Sequence, residues 1–248
     1  MPEFDLPDGL EALRAQLDLP QIMRLIESTA RWVDPDTFRL LPLWYPEHAR
    51  GAYFYKSDWS EPQHNKNRQT SQTEHKREGN VHAAKALTSA LGFRADDRPN
   101  WSCCHIWGVD DSTYQNANIV VQDPRYFSCV ANMVLLPSPL KAFTDAMVEV
   151  KAMLRICARN LYDWHCDHAE LAGAVALIDA WQDWDAYPAS WPRTLGGGAP
   201  KGTMGLNQGI RDLAARRKDR IRRDLDQAGP FYPRASVLET LKYWKIEL

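Results

Sequence analysis

His105 stands in the run Trp101-Ser102-Cys103-Cys104-His105-Ile106-Trp107-Gly108, and an imidazole in an otherwise apolar and sulfur-bearing stretch can exchange a proton near neutral pH. Further along, Asn132 opens the apolar run Met133-Val134-Leu135-Leu136-Pro137, and Ser138-Pro139 follows directly. Beyond these, Lys141 and Asp145 lie four residues apart. Hydrolysis of a phosphodiester needs a base to activate water, a divalent cation to neutralise the phosphate, and something that holds the base in place. A histidine on a strand can be the base, an asparagine at the turn can fix the loop behind it, and ligands on the adjoining strand and helix can seat one Mg2+.

The elements that must position these groups follow from the pattern around them. Residues 101–108 predict a buried strand, 110–118 a loop, and 119–121 and 126–130 short extended pieces divided by Asp123-Pro124. A second strand covers 133–136 and Pro137 stops it; Ser138 is placed as an N-cap and Pro139 at the first helical position. Leu140, Phe143, Met147, Val150, Leu154, Cys157 and Leu161 then recur at helical spacing, predicting one long helix of about six turns. On that helix Lys141 and Asp145 share a face, and their plain alternative is an ordinary ion pair.

Flanking this core, residues 8–33 predict two short helices interrupted at Pro20, and the aromatic stretch 38–59 reads as extended segments. Residues 60–78 are almost wholly polar, with Lys66, Arg68, Lys76 and Arg77, and predict a solvated loop. A helix over 78–92 ends at Gly92. Residues 169–184 and 207–226 predict two more helices, with a proline- and glycine-rich connection over 188–205. The expectation is therefore an α+β chain, mainly helical, in three regions: 1–95, 96–165 and 166–248.

The segments Cys104-His105-Ile106-Trp107 and Asn132-Met133-Val134-Leu135-Leu136-Pro137 resemble the HNH (ββα-metal) endonuclease family, and in particular its restriction-like bacterial members. The resemblance covers about 60 residues. It implies a small ββα-metal core embedded in the helical chain, His105 as general base and Asn132 as the middle residue of the motif. It places Cys104 where many members carry a metal ligand, and the third motif position on Lys141, whose ammonium binds no cation. Asp145 is the substitute ligand, with Lys141 against phosphate. The cofactor implied is Mg2+ or Mn2+, the substrate DNA, and the setting restriction or defence against phage. A non-catalytic DNA-binding or interaction protein with a degenerate core is the alternative.

Net charge is -2, so any footprint for nucleic acid has to be local. The strongest local patch is the helix bearing Arg211, Arg216, Arg217, Lys218, Arg220, Arg222 and Arg223, diluted by Asp212, Asp219 and Asp224. Arg216, Arg217 and Arg220 are its candidate phosphate contacts, and Arg125 could clamp a phosphate between the strands. Five cysteines lack paired CxxC spacing, which argues against a disulfide framework and against structural zinc, and favours a reducing cytoplasm. His165-Cys166-Asp167-His168 also lacks a zinc spacing. No membrane span or leader is expected. An enzyme that cuts palindromes would be a homodimer, although no coiled-coil seam marks an interface.

Overall fold

The computed structural model describes residues 8–66, 69, 71–109 and 116–248. Arg68 and most of the loop expected over 110–118 lie outside the described residues.

Two short helices open the chain, α1 (Gly9–Arg14) and α2 (Leu19–Thr29). Asp8 caps α1, and Asp18 with Gln21 forms a capping box on α2. Pro20 does not break a helix; it occupies the first turn of α2, where its missing N–H costs nothing. Strand β1 (Trp32–Val33) and helix α3 (Pro35–Leu40) follow, so the aromatic stretch begins helical and becomes extended only after Leu41.

Residues expected as a solvated loop form an exposed hairpin, β2 (His64–Lys66) against β3 (Thr73–His75), with His64 opposite His75. Helix α4 (Val81–Ala90) ends as expected, with Gly92 at φ +74°.

Strand β4 (Trp101–His105) pairs antiparallel with β5 (Met133–Pro137), setting His105 opposite Met133 and Trp101 opposite Pro137. Between them the extended pieces expected over 119–130 are instead helical: a 3-10 turn at Ile119–Gln122 and helix α5 (Pro124–Phe127). Asp123 caps α5 by accepting from the Arg125 N–H at 2.8 Å, and Pro124 sets the first helical φ. The apolar run alone could not separate these choices, because short buried strands and short buried helices share it.

The long helix expected after Pro137 is divided. A 3-10 turn (Ser138–Leu140) leads into α6 (Lys141–Ala146), Met147 is extended at φ -117° and ψ 112°, and α7 (Val148–Tyr162) continues to Asp163 in the left-handed region. Residues 141–148 contain neither proline nor glycine, so the break comes from tertiary packing rather than local propensity. Its consequence is that α6 packs against β4 while α7 is free to run through the core.

Helix α8 (Ala172–Asp179) is followed by the expected irregular connection, strand β6 (Thr203–Met204), helix α9 (Gln208–Gln227) and an unanticipated α10 (Arg234–Tyr243). β6 pairs in parallel with β1. Gly202, at φ +88°, makes that pairing possible: a Cβ there would lie 2.2 Å from the Ala30 carbonyl oxygen. Gly202→Ala is expected to cost about 2–5 kcal/mol from left-handed strain plus overlap with backbone. Thermal unfolding measures it, and a midpoint equal to wild type would refute the account.

The α+β expectation holds at the level of class. One buried cluster draws on all three regions of the sequence, from Ile26 and Trp32 through Val134 and Leu154 to Tyr187 and Ala214. A smaller one, Trp59, Ile221, Tyr232, Val237 and Leu241, ties α9 and α10 to the 55–60 segment. Among the described residues no helix is long and apolar enough to cross a membrane. All five cysteines are free and buried.

Candidate active site

The β4–β5 pair delivers His105 and Asn132 to the same end of the sheet. Asn132 is wholly buried, and three of its hydrogen bonds bring the neighbouring chain together there. Its carbonyl accepts from the Ile106 N–H (2.8 Å), its Oδ1 accepts from the Trp107 N–H (2.7 Å), and its Nδ2 donates to the Tyr126 carbonyl (3.0 Å). One amide thereby joins the chain leaving β4 to the chain entering β5. Arg155 on α7, also wholly buried, supports the same turn by donating to the carbonyls of Ile106 (3.1 Å) and Gly108 (2.7 Å).

His105 lies half-buried at the last position of β4, stacked near Phe127 with ring centroids 5.9 Å apart. Its Nε2 is 2.9 Å from the Phe127 carbonyl oxygen. A carbonyl can only accept, so Nε2 carries the proton and Nδ1 holds the lone pair. Burial pushes the imidazole down from 6.5 to about 4; the Phe127 bond opposes this, and the charges of Arg50, Lys151 and Lys141 add to it. The ring is therefore neutral at pH 7.

Around His105 is a cleft of about 240 Å3 whose walls include Arg50, Asn80, Cys104, Asn118, Lys141, Asp145 and Lys151. Three cationic side chains against one carboxylate suit a polyanion. Lys141 and Asp145, adjacent on α6, are joined in an ion pair, the plain alternative raised by their spacing. Cys104 is buried and its thiol is pushed up to about 12, first by burial. At neutral pH it offers S–H rather than the thiolate that binds metals, so Cys104 is a poor ligand and Asp145 carries that expectation alone.

The arginines expected to meet phosphate fare differently from one another. Arg125 is bound to Asp123 through its Nε and a terminal nitrogen, the latter at 2.6 Å, which neutralises it. Arg217 points inward: its Nε donates to the Trp44 carbonyl, it pairs with Glu47, and it lies 4.4 Å from the Tyr45 ring centre. Arg220 pairs with Asp224 at 2.6 Å and donates to the Ser57 carbonyl. Only Arg216 of the three is exposed with no ion pair among the described residues. Arg217 thus acts as a structural group, because replacing it strands a buried carboxylate. Arg217→Met is expected to destabilise by about 3–5 kcal/mol, read by denaturant unfolding; loss of DNA affinity with unchanged stability would restore the phosphate-contact reading.

Arg50, Asn80, Asn118 and Lys151 had no place in the sequence reading. Arg50 reaches the cleft from a segment far upstream, fixed by a bond from its own N–H to the Val121 carbonyl (2.9 Å) and by its guanidinium to Asn80 Oδ1 (2.8 Å). No local pattern marks an arginine recruited in this way. A second cluster that no sequence motif announces comprises His48, Glu78 and His82, whose potential metal-ligating atoms lie within 4.8 Å of one another. Glu78 and His82 are spaced i,i+4 at the start of α4, a readable signal that was obscured by the absence of any nearby partner for them in the chain. Among the described residues His165 and His168 form no such group; Asp167 between them accepts from the hydroxyls of Tyr126 and Tyr243, both at 2.6 Å.

No family model, curated protein or solved structure matches this chain.

Proposed function

We propose that the protein is a metal-dependent endonuclease of the HNH type, hydrolysing phosphodiester bonds in DNA. The observation that carries this reading is the tautomer of His105: a backbone carbonyl holds the proton on Nε2 and leaves Nδ1 as a base in a cleft lined by Arg50, Lys141 and Lys151. His105 Nδ1 takes a proton from water as the water oxygen attacks phosphorus, and the bond to the leaving oxygen breaks. Arg50 and the lysines hold the phosphate oxygens. Asn132 and Arg155 position the imidazole through the turn that follows β4.

The cleft offers hard oxygen donors, the Asp145 carboxylate and the amide of Asn118, which fit Mg2+ or Mn2+ better than a soft metal. Asp145 would hold the ion on leaving Lys141; once bound, the ion supplies neutralising charge to the scissile phosphate and the leaving oxygen. That same ion pair favours a second reading, a DNA-binding protein with a degenerate core, in which Lys141 permanently occupies the carboxylate.

Incubation of the protein with plasmid DNA in Mg2+, in Mn2+ and in chelator separates the two. Cleavage in either metal and none in chelator is the expected result. Salt-sensitive binding without cutting in any metal rejects the enzyme and supports the alternative.

A further inference from the structure

Tyr45, His48, Phe54, Trp59, His82 and Arg217 are among the residues that line another cleft, of about 450 Å3. His48 in its wall is 8% exposed, and Glu78, against His82, is 2% exposed. The rings of His48 and His82 are stacked almost parallel, 3.4 Å apart at 8°. Among the described residues the His48 side chain makes no hydrogen bond, although it is only 10% exposed; a Glu47 oxygen lies 3.9 Å from its Nε2.

Glu78 is held in place from the other side. One carboxylate oxygen accepts from the Val81 N–H at 2.6 Å, and the other lies 2.5 Å from His82 Nδ1. Two acceptor atoms so close share one proton, the arrangement in which a metal cation can take that proton's place. Tyr45 and Phe54 lie against His82, and Trp59 against His48, with ring centres 5.1–5.5 Å apart, so an apolar wall shields the group. Positive charge is nearby on Arg217 and Lys85, but Arg217 is paired with Glu47. A second oxygen of Glu47, Oε2, is buried and without a partner among the described residues.

We propose that His48, Glu78 and His82 form a binding site for one zinc ion, separate from the cleft around His105. Two imidazoles and one carboxylate are a zinc-type donor set, unlike the all-oxygen environment that Mg2+ prefers. Three protein ligands leave a fourth position for water. Ligand atoms of a tetrahedral zinc ion stand roughly 3.3 Å apart, so donors already within 4.8 Å need only small side-chain rotations. Zinc here ties the 48–52 segment to the start of α4, which also meet through the bonds of Gly51 N–H to the Glu78 carbonyl (2.7 Å) and Glu78 N–H to the Ala52 carbonyl (2.8 Å). Two residues beyond the ligands on each segment, Arg50 and Asn80 enter the wall of the His105 cleft. Neither the cysteine spacing nor the His165-Cys166-Asp167-His168 run, which argue against zinc in the sequence, bears on this site, which contains none of those residues.

The test reads metal rather than cleavage, so it stands or falls apart from the nuclease proposal. The full chain is stripped with chelator, dialysed and titrated calorimetrically with Zn2+ and separately with Mg2+. Co2+ absorption reports tetrahedral coordination. One equivalent of Zn2+, no comparable uptake of Mg2+, and a raised unfolding midpoint with zinc are expected. His82→Gln and Glu78→Gln should each weaken zinc binding, roughly 100-fold for a lost ligand, while His105→Ala leaves stoichiometry and affinity unchanged. Failure of the stripped wild type to take up zinc overturns the site, and because this needs no variant it is immune to misfolding. Loss of the zinc equivalent with His105→Ala instead of His82→Gln also overturns it, by placing the ion in the other cleft.

Discussion

Replacing His105 by alanine is expected to lower Mg2+-dependent DNA cleavage by about two to four orders of magnitude, the usual contribution of a positioned base, with the fold left standing. The side chain makes one hydrogen bond, to the Phe127 carbonyl, whose loss costs about 1 kcal/mol. His105→Gln separates the two roles of the ring. Its amide nitrogen stands near the position of Nε2 and can still donate to that carbonyl, but it has no basic nitrogen to accept a proton, so it should be as inactive as the alanine variant and closer to wild type in stability. The low affinity of the imidazole for protons adds a pH signature. Because the folded group titrates near 4, the base remains neutral from pH 7 down to about 5, and the acid limb of the cleavage rate should lie near 4 rather than 6.5. Stability moves with the same shift. Below 6.5 the unfolded chain takes up a proton that the folded chain refuses, so this site's contribution falls progressively from 6.5 toward 4 and is absent in His105→Gln. Cleavage by either variant within a few-fold of wild type would remove His105 from the chemistry.

What the sequence disclosed about this site, and what it withheld, has a physical pattern. His105 and Asn132 were legible because both sit at the ends of strands with strong apolar runs and clear stops, Gly108 on one side and Pro137 on the other. The helix stop at Gly92 was equally legible, but Ser138 is not the N-cap its position suggested: Pro137 takes that place, Ser138 is the first residue of the 3-10 turn, and its hydroxyl meets that of Ser102 at 2.8 Å. The break at Met147 was not legible, since nothing local disfavours helix there and only packing divides α6 from α7. Nor could charge counting along α9 tell which arginines face water. Arg217 occupies the same basic run as Arg216, yet one helical position turns it from solvent onto Glu47 and Tyr45, residues distant in the chain. The wall of the cleft is hidden for the same reason: Arg50 and Asn80 come together across a long-range hydrogen bond that has no counterpart in any sequence window.

Asn132→Ala should destabilise the chain by about 1–3 kcal/mol, chiefly through a buried Trp107 N–H left without a partner. Trp107 N–H depends on the one amide and has no water to turn to, because Asn132 and Trp107 are wholly buried, whereas the Tyr126 carbonyl keeps its bond from the Cys129 N–H (3.3 Å). Asn132→Asp tests whether an amide is specifically required. An ionised aspartate still accepts from Trp107 N–H, but its second oxygen confronts the Tyr126 carbonyl, acceptor against acceptor, and it places an unpaired charge in the core. Only the protonated acid can donate to that carbonyl. The folded state therefore favours the protonated form and raises this carboxyl's pKa, so the variant should be nearer wild type at pH 5 and should lose stability as the pH rises to 8. Wild type should show no such loss from this position, since an amide does not titrate. Both variants should also lose cleavage beyond what their unfolded fraction explains, because the turn that places His105 is the one Asn132 closes. Unfolding midpoints at the two pH values decide the matter: an alanine variant within about 0.5 kcal/mol of wild type, the range of an ordinary surface change, would mean that the turn holds itself without Asn132.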